Sequence, residues 1–406
     1  MADAAASSTI VDRYLELGLR LGRHVDGFVD AYYGPPALAA LVDAEPVVAP
    51  LRLSVDTAGL IADLDAGVEA DTLDASRRRW LRAQVVGLHT SARKLAGEPI
   101  GYADEVEWCY GVRPTFRDEE AFAAAHRRLD RALPGSGAIR ERVIAWRESQ
   151  AIPVEKLEPV LRSLADDFRE RTQRLFGLPE GEHVHWELAH DQPWSGFNYY
   201  EGDLRSRVAI NTDLPVLSTS VAHLVAHEAY PGHHTEHSRK EAGLVRHRGW
   251  QEETIFLVGT PQCLLAEGLA DLALEVIAGE APEQIVAEHL RPLGIAYDPE
   301  VVAAVRTASE SLDAVRANAA WLLHADGAPV DDVVAYLERW GLQPHPRATK
   351  SVEFLTSETW RAYISCYVEG LPLCRAYVAG DPTRFATLLT EQLVPADLAA
   401  ARPAGT

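Results

Sequence analysis

Along most of this chain apolar residues recur every three to four positions, the spacing of one face of an α-helix. In VDRYLELGLRLGRHVDGFVDAYYG, Val11, Leu15, Leu19 and, with some drift, Val25 and Phe28 follow this period until Gly34, Pro35 and Pro36 end it. RRRWLRAQVVGLHTSARKLAG and DEEAFAAAHRRLDRALPG read as further helices, the second closed by Pro134 and Gly135. VEKLEPVLRSLADDFRERTQRLFGLPEG is another, with a kink or a break expected at Pro159.

The period then drops to two. In HVHWELAHD, Val184, Trp186 and Leu188 alternate with His183, His185 and Glu187, and Val208 and Ile210 alternate further on. Three short strands are expected between residues 183 and 212. Pro215 closes the region, and the hydroxyls at Ser218–Ser220 suit a helix cap. Helices are expected over 218–230, 233–242, 262–279, 283–292, 298–325, 329–340 and 357–379. The pattern predicts a mainly α fold with a small antiparallel β-sheet beside the 218–230 helix. There is no internal repeat or long linker.

That helix carries the chemistry. HLVAHEAYPGHH, residues 223–234, begins as the zinc signature H-E-x-x-H with His227 and Glu228. Pro231 then stands where the second ligand belongs. On a regular helix His233 lies about 240° round from His227 and about 9 Å along, and His234 about 10.5 Å along. Neither can share an ion with His227 unless Pro231 and Gly232 distort the chain, which both residue types favour. A third ligand is available in LLAEGLADLALE, residues 264–275. Glu267 stands among Leu264, Leu265, Leu269 and Leu272, where a buried carboxylate needs a partner. Asp271, one turn later, can steady a ligand imidazole through a hydrogen bond.

HEAYPGHH followed by EGLA resembles the bacterial family known as domain of unknown function 885, with its H-E-x-x-P-G-H motif and later E-G-W-A-like helix. The resemblance implies a zincin-like, gluzincin-type helical fold around a deep cleft, holding one Zn²⁺ per chain through His227, His233 and Glu267, with His234 the alternative ligand. RVAIN, ending at Asn211, resembles the family strand that pairs with an extended substrate. WLLHADG with His324 and YVEG with Tyr367 resemble downstream family segments. The likeness runs from about residue 190 to 380. Leu269 departs from it, standing where the family has Trp, and the chain is shorter than typical members. Residues 1–180 are then a helical N-terminal part lining the cleft, and 181–406 a catalytic part, as one continuous domain or two lobes.

The activity implied is zinc-dependent hydrolysis of an amide bond, with a peptide or small amide as substrate. Glu228 serves as general base toward the metal-activated water, and Tyr367 or His324 meets the developing oxyanion. Asn211 and Arg207 are candidates for holding substrate, although a charge flanking a strand is also an ordinary solvated one. A non-peptide acyl or amide substrate, a metal-binding module without turnover, and a metal-free scaffold stay open, as do Mn²⁺, Co²⁺ or Fe²⁺ in place of Zn²⁺.

Composition narrows the partners. A formal charge of −21 disfavours nucleic acid and anionic membranes. No segment has the apolar length of a membrane span, and the start does not read as a secretory signal. Cys109, Cys263, Cys366 and Cys374 fit neither a zinc knuckle nor a disulfide framework, so a cytoplasmic protein with reduced, buried thiols is expected.

Overall fold

Thr9 starts the first helix, Ile10–Gly22, through a reciprocal cap. Its hydroxyl accepts from the Asp12 amide, and the Asp12 carboxylate accepts from the Thr9 amide. The computed structural model describes residues 9–401 apart from 70, 193, 280 and 358–360. Ile10, Tyr14, Leu17 and Leu21 are buried with Leu53, Leu60, Trp80 and Leu88 of helices Pro50–Asp65 and Ala75–Leu95. A second and larger core gathers helices from Tyr102 onward around Pro261–Ala278. The fold is mainly helical, as the periodicity predicts.

The described residues hold five strands: β1 (Val29–Tyr32), β2 (His183–Ala189), β3 (Gly196–Gly202), β4 (Arg205–Asn211) and β5 (Ile255–Leu257). β1 and β5 pair antiparallel. The sequence pattern misses both, and it carries the first helix, which ends at Gly22, on across β1, because strands this short with partners in distant parts of the chain leave no local period. The other three match the expected β region but not its pairing. β4 runs between the others, antiparallel to β3 and parallel to β2, so the sheet is mixed rather than antiparallel. The β3 hairpin serves as the crossover that a parallel pair requires. Asn211 holds that crossover in place, its amide donating to the carbonyls of Gln192 and Trp194 at 2.9 and 3.0 Å.

Pro159 does not break its helix, which runs unbroken over Val154–Phe176. It lies close enough to the amino end for the loss of one backbone bond to be absorbed. The segment expected as one helix over 298–325 divides into Pro299–Ser309, a 3₁₀ stretch Glu310–Ala314 and Val315–His324. The last expected helix is Ile364–Val378; positions 358–360 lie outside the described residues. All four cysteines are free and buried, and no described helix is long and apolar enough to cross a membrane.

Helix Pro261–Ala278, nearly all buried, packs closely on Ile364–Val378, and glycines set the contact. A Cβ on Gly268 would lie 2.5 Å from the carbonyl carbon and oxygen of Gly370, and one on Gly370 would lie 2.6 Å from the Leu264 carbonyl oxygen. Backbone therefore meets backbone one residue after Glu267. Gly268→Ala should lower stability by about 1–3 kcal/mol through overpacking. Gly59→Ala, in an exposed helix position with nothing within 4 Å, should raise it by about 0.5–1 kcal/mol. Urea midpoints at constant m-value separate the two effects.

Candidate metal centre

His227 and Glu228 are the last two residues of helix Val221–Glu228. Ala229 leaves helical geometry at φ −127° and ψ −79°, the Tyr230–Pro231 peptide is cis, and a new helix, His233–Lys240, follows Gly232. Gly232 rests directly on the end of the first helix. A Cβ there would lie 1.9 Å from the His227 carbonyl oxygen and 2.5 Å from that of Ala226, so only glycine permits the fold-back. The carbonyls freed by the break find partners. The Gly232 amide donates to Ala226 at 2.9 Å, and the Thr235 amide and hydroxyl donate to Ala229 at 3.2 and 2.9 Å.

The detour returns His233 to His227, with their Nε2 atoms 3.1 Å apart. Glu267 closes the triangle, Oε2 lying 3.4 Å from His227 Nε2 and Oε1 3.5 Å from His233 Nε2. A tetrahedral zinc holding N and O donors at about 2.0–2.2 Å would separate them from one another by roughly 3.3–3.5 Å, so the set has the right size for such an ion. Glu267 Oε1 accepts from the Tyr363 hydroxyl at 2.7 Å, whereas Oε2 is buried without a hydrogen-bond partner among the described residues. An ion would satisfy that orphaned oxygen. Behind His227, Asp271 Oδ1 lies 3.0 Å from Nδ1 and 3.4 Å from Nε2 of the more exposed His223.

Charge within the cluster is strongly coupled. Burial pushes the Glu267 carboxyl up, but His233 and His227 outweigh it and hold it at about 2. Burial opposes protonation of His227 and His233, yet the carboxylates win and both are raised, His227 chiefly by Asp271 and His233 by Glu267. Glu228 is raised by burial although both histidines pull it down. A cluster of this kind favours positive charge at its centre.

The structure separates the two adjacent histidines of the motif. His234, the alternative ligand, is wholly buried on the far side. Its Nδ1 is 2.8 Å from Ser206 Oγ and its Nε2 2.8 Å from Glu182 Oε2. Burial lowers the His234 pKa, and Glu182 is held below its usual range because His234 and Tyr230 outweigh its own burial. Both shifts favour a charged carboxylate beside an imidazole whose own charge is disfavoured. Glu182 also accepts from the Tyr230 hydroxyl at 2.7 Å and from Arg169. His237, one turn beyond His233, is buried and stacks on Tyr200 with ring centroids 4.9 Å apart.

Other expected site residues divide. Tyr367 stands at the cluster, edge-on to Tyr363 at 5.3 Å, and its hydroxyl is pushed up by burial and then by Glu267, Asp271 and Glu228. His324 does not join it. Its Nε2 is 2.7 Å from the Leu355 carbonyl and its ring lies against Tyr102. Asn211 is committed to the crossover loop. Arg207 is committed to Glu187 at 2.6 Å, with its guanidinium 4.0 Å from the centre of the Tyr199 ring. β4 has a strand on each side, so it has no free edge for an extended substrate; β3 is the edge strand on the metal side. Asn198 of β3 donates to the Glu228 carbonyl at 2.6 Å, and Gly196 leaves room beside the Glu228 carboxylate.

Two residues escape the sequence reading. Tyr363 lies one turn before Tyr367, a helical spacing that could have identified it. Asp30, on β1, gives no local signal. Burial raises its carboxyl to about 7, with His233 opposing the shift and Glu267 and Glu228 adding to it, which puts it within electrostatic reach of the cluster.

No family model and no curated protein matches the chain, so the likeness to domain of unknown function 885 rests on the motif residues themselves. Among solved structures, a protein from Colwellia psychrerythraea described as a candidate lipoprotein aligns with a TM-score of 0.51 at 15% identity, covering 85% of this chain and 68% of that one. This shows a shared fold. The M32 carboxypeptidase from Deinococcus radiodurans R1 aligns over 97% of this chain and 93% of its own at 13% identity, with a TM-score of 0.41, too loose a match to carry a conclusion.

His234→Ala should destabilise the protein by about 3 kcal/mol, since it leaves Glu182 buried with fewer partners. Chemical denaturation measures the loss. His183→Ala, at an exposed position, should stay within about 0.5 kcal/mol of wild type.

Proposed function

We propose that the protein is a metal-dependent hydrolase of amide bonds, a metallopeptidase in which His227, His233 and Glu267 hold one Zn²⁺. The observation that carries this reading is the convergence of those three side chains around the orphaned Oε2 of Glu267. The ion supplies a Lewis acid that polarises the substrate carbonyl and lowers the pKa of water.

The protein's own groups do the rest. Asp271 fixes the ring of His227 from behind, so that Nε2 faces Glu267. Tyr363 holds the Glu267 carboxylate through its hydroxyl. Glu228 ends its helix beside Gly196 and carries a raised pKa, which suits a base that takes a proton from the attacking water and gives it to the leaving nitrogen. Tyr367 hydrogen-bonds the carbonyl oxygen as negative charge develops on it. The free edge of β3 aligns an extended backbone beside Glu228.

Plasma mass spectrometry of untagged protein should find one zinc per chain, lost in His233→Ala and Glu267→Ala and kept in Glu228→Gln. No metal in the wild type after zinc is added back would end this reading. Glu228→Gln should lower the rate about 10²–10⁴-fold. Tyr363→Phe should weaken metal affinity about 10–100-fold, while Tyr367→Phe should leave affinity unchanged and lower kcat about 10²–10³-fold.

A further inference from the structure

β1 carries a carboxylate that the fold does not pair. Val29 pairs with Leu257 and Ala31 with Phe256, so the register slips between them and Asp30 is the extra residue of a bulge. Val29 and Leu257 pack with the N-terminal core, so Asp30, one residue on, points to the opposite face. That face also holds Ala31 and Phe256, which belong to the larger core. The Phe256 ring lies 5.2 Å from that of His237, and the His237 ring lies 6.5 Å from that of His233. The bulge thus aims Asp30 toward the His233 side of the cluster.

Asp30 is half-buried and, among the described residues, forms no hydrogen bond or ion pair. Nor is it a member of the set His227, His233 and Glu267, whose donor atoms lie within 4.8 Å of one another. Left open within electrostatic reach of the Glu228 and Glu267 carboxylates, it calls for a cation from outside.

β3 gives that cation a direction. At its Gly196 end a Cβ would lie 3.3 Å from Glu228 Oε1. Its Gly202 end is met by Tyr33, the residue after β1. A Cβ on Gly202 would lie 2.8 Å from the Tyr33 Cβ, and the Tyr33 ring lies 5.2 Å from that of Tyr200. Tyr33 is itself fastened, its amide donating to the Thr254 carbonyl and its hydroxyl to the Glu253 carbonyl, both at 2.9 Å. Gly196 and Gly202 are separated by about 20 Å of strand, and Asp30 precedes Tyr33 by about 10 Å. An extended backbone pairs more stably antiparallel than parallel. Lying so on the free edge of β3, with its reacting bond beside Glu228, a substrate points its N-terminal side toward Gly202 and ends before Tyr33.

We propose that Asp30 is the specificity residue of this site, binding an ammonium group on the N-terminal side of the substrate, which makes short peptides with a free N-terminus the preferred class. The inference rests on the hydrolase reading above for its reaction but not for its binding. An ammonium that meets Asp30 gives an unpaired carboxylate charge-assisted hydrogen bonds. Tyr33 limits how many residues can lie between that ammonium and the bond that is cut.

The test is calorimetry on full-length, zinc-loaded Glu228→Gln protein with tetra-alanine amide, its N-acetylated form, and an acetylated amide with lysine in the first position. The free amine should bind at least about tenfold more tightly than the acetylated form, the margin expected for hydrogen bonds to a charged group. Asp30→Asn should abolish that margin, with zinc content kept and the melting temperature unchanged or raised; Asp30→Ser replaces it should the asparagine variant not fold. A purely structural role would weaken both peptides alike and leave their ratio. Equal binding of amine and acetyl peptide, or a margin that survives the substitution, overturns the assignment. An acetylated lysyl peptide that matches the free amine, and also needs Asp30, upholds it and assigns the ammonium to a side chain. An Asp30-dependent margin with no cleavage of any of these peptides by zinc-loaded wild type would fault the hydrolase reading alone. Cleavage of amine and acetyl peptide alike, without a binding margin, would fault the Asp30 assignment alone.

Discussion

The contact of Gly232 with the carbonyl end of helix Val221–Glu228 decides where the other groups of the cluster fall. An unbroken helix would carry His233 away from His227; the fold-back brings their Nε2 atoms to 3.1 Å. Breaking a helix in a buried place is costly unless the freed backbone groups are satisfied, and here Gly232 and Thr235 satisfy them locally. Glu182 then fastens the detour from outside, since Tyr230 and His234 lie on its two sides and both bind the same carboxylate oxygen. The motif therefore contains two machines. His227, Glu228 and His233 face the cluster, while Tyr230, Gly232 and His234 hold the shape that lets them do so.

How much of this could be read from residues follows from how local each signal is. Many of the long helices announced themselves by their period, and the β region by its alternation, but Pro50–Asp65, Ile139–Ser149 and His345–Thr356 lie outside the helices expected. The candidate ligands stood out because a carboxylate on an apolar helix and a proline inside a zinc motif are both expensive oddities. What stayed hidden was relational. Whether His233 or His234 faces the cluster depends on a bend of four residues whose direction no spacing rule supplies. Asp30 reaches the same place through β1, which exists only because β5 pairs with it from a distant part of the chain. RVAIN was assigned to substrate by its likeness to a family strand, but strand order is not written in such a likeness, and β3 lies at an edge. His324 was brought in by likeness of a segment alone, and its ring nitrogen proved to be occupied by a backbone carbonyl.

Electrostatics ties the cluster to the rest of the molecule. Acidic residues outnumber basic ones along the chain, 60 to 39, so a buried carboxylate needs a partner close by. Several buried carboxylates are matched individually, as Glu182 is by His234, Tyr230 and Arg169, or Glu252 by Arg77 at 2.5 Å. Glu267 is matched on one oxygen by Tyr363 and left open on the other, as Glu236 is beyond its pair with Lys240. What distinguishes Glu267 is that its open oxygen lies 3.4 Å from the ring nitrogen of His227, another candidate ligand.

The glycine contact between helices Pro261–Ala278 and Ile364–Val378 has a consequence for how such a site could be retuned. Side-chain packing can be rearranged by changing rotamers, but backbone against backbone has no rotamers to change. The gap between Glu267 on one helix and the two tyrosines on the other is therefore set like the jaws of a caliper, with Gly268 and Gly370 as the closed stop. A spacer one methyl thick at that stop would open the jaws and carry both hydroxyls away from the carboxylate together. The aperture of the candidate centre can thus be adjusted from behind, through residues that lie outside the cluster.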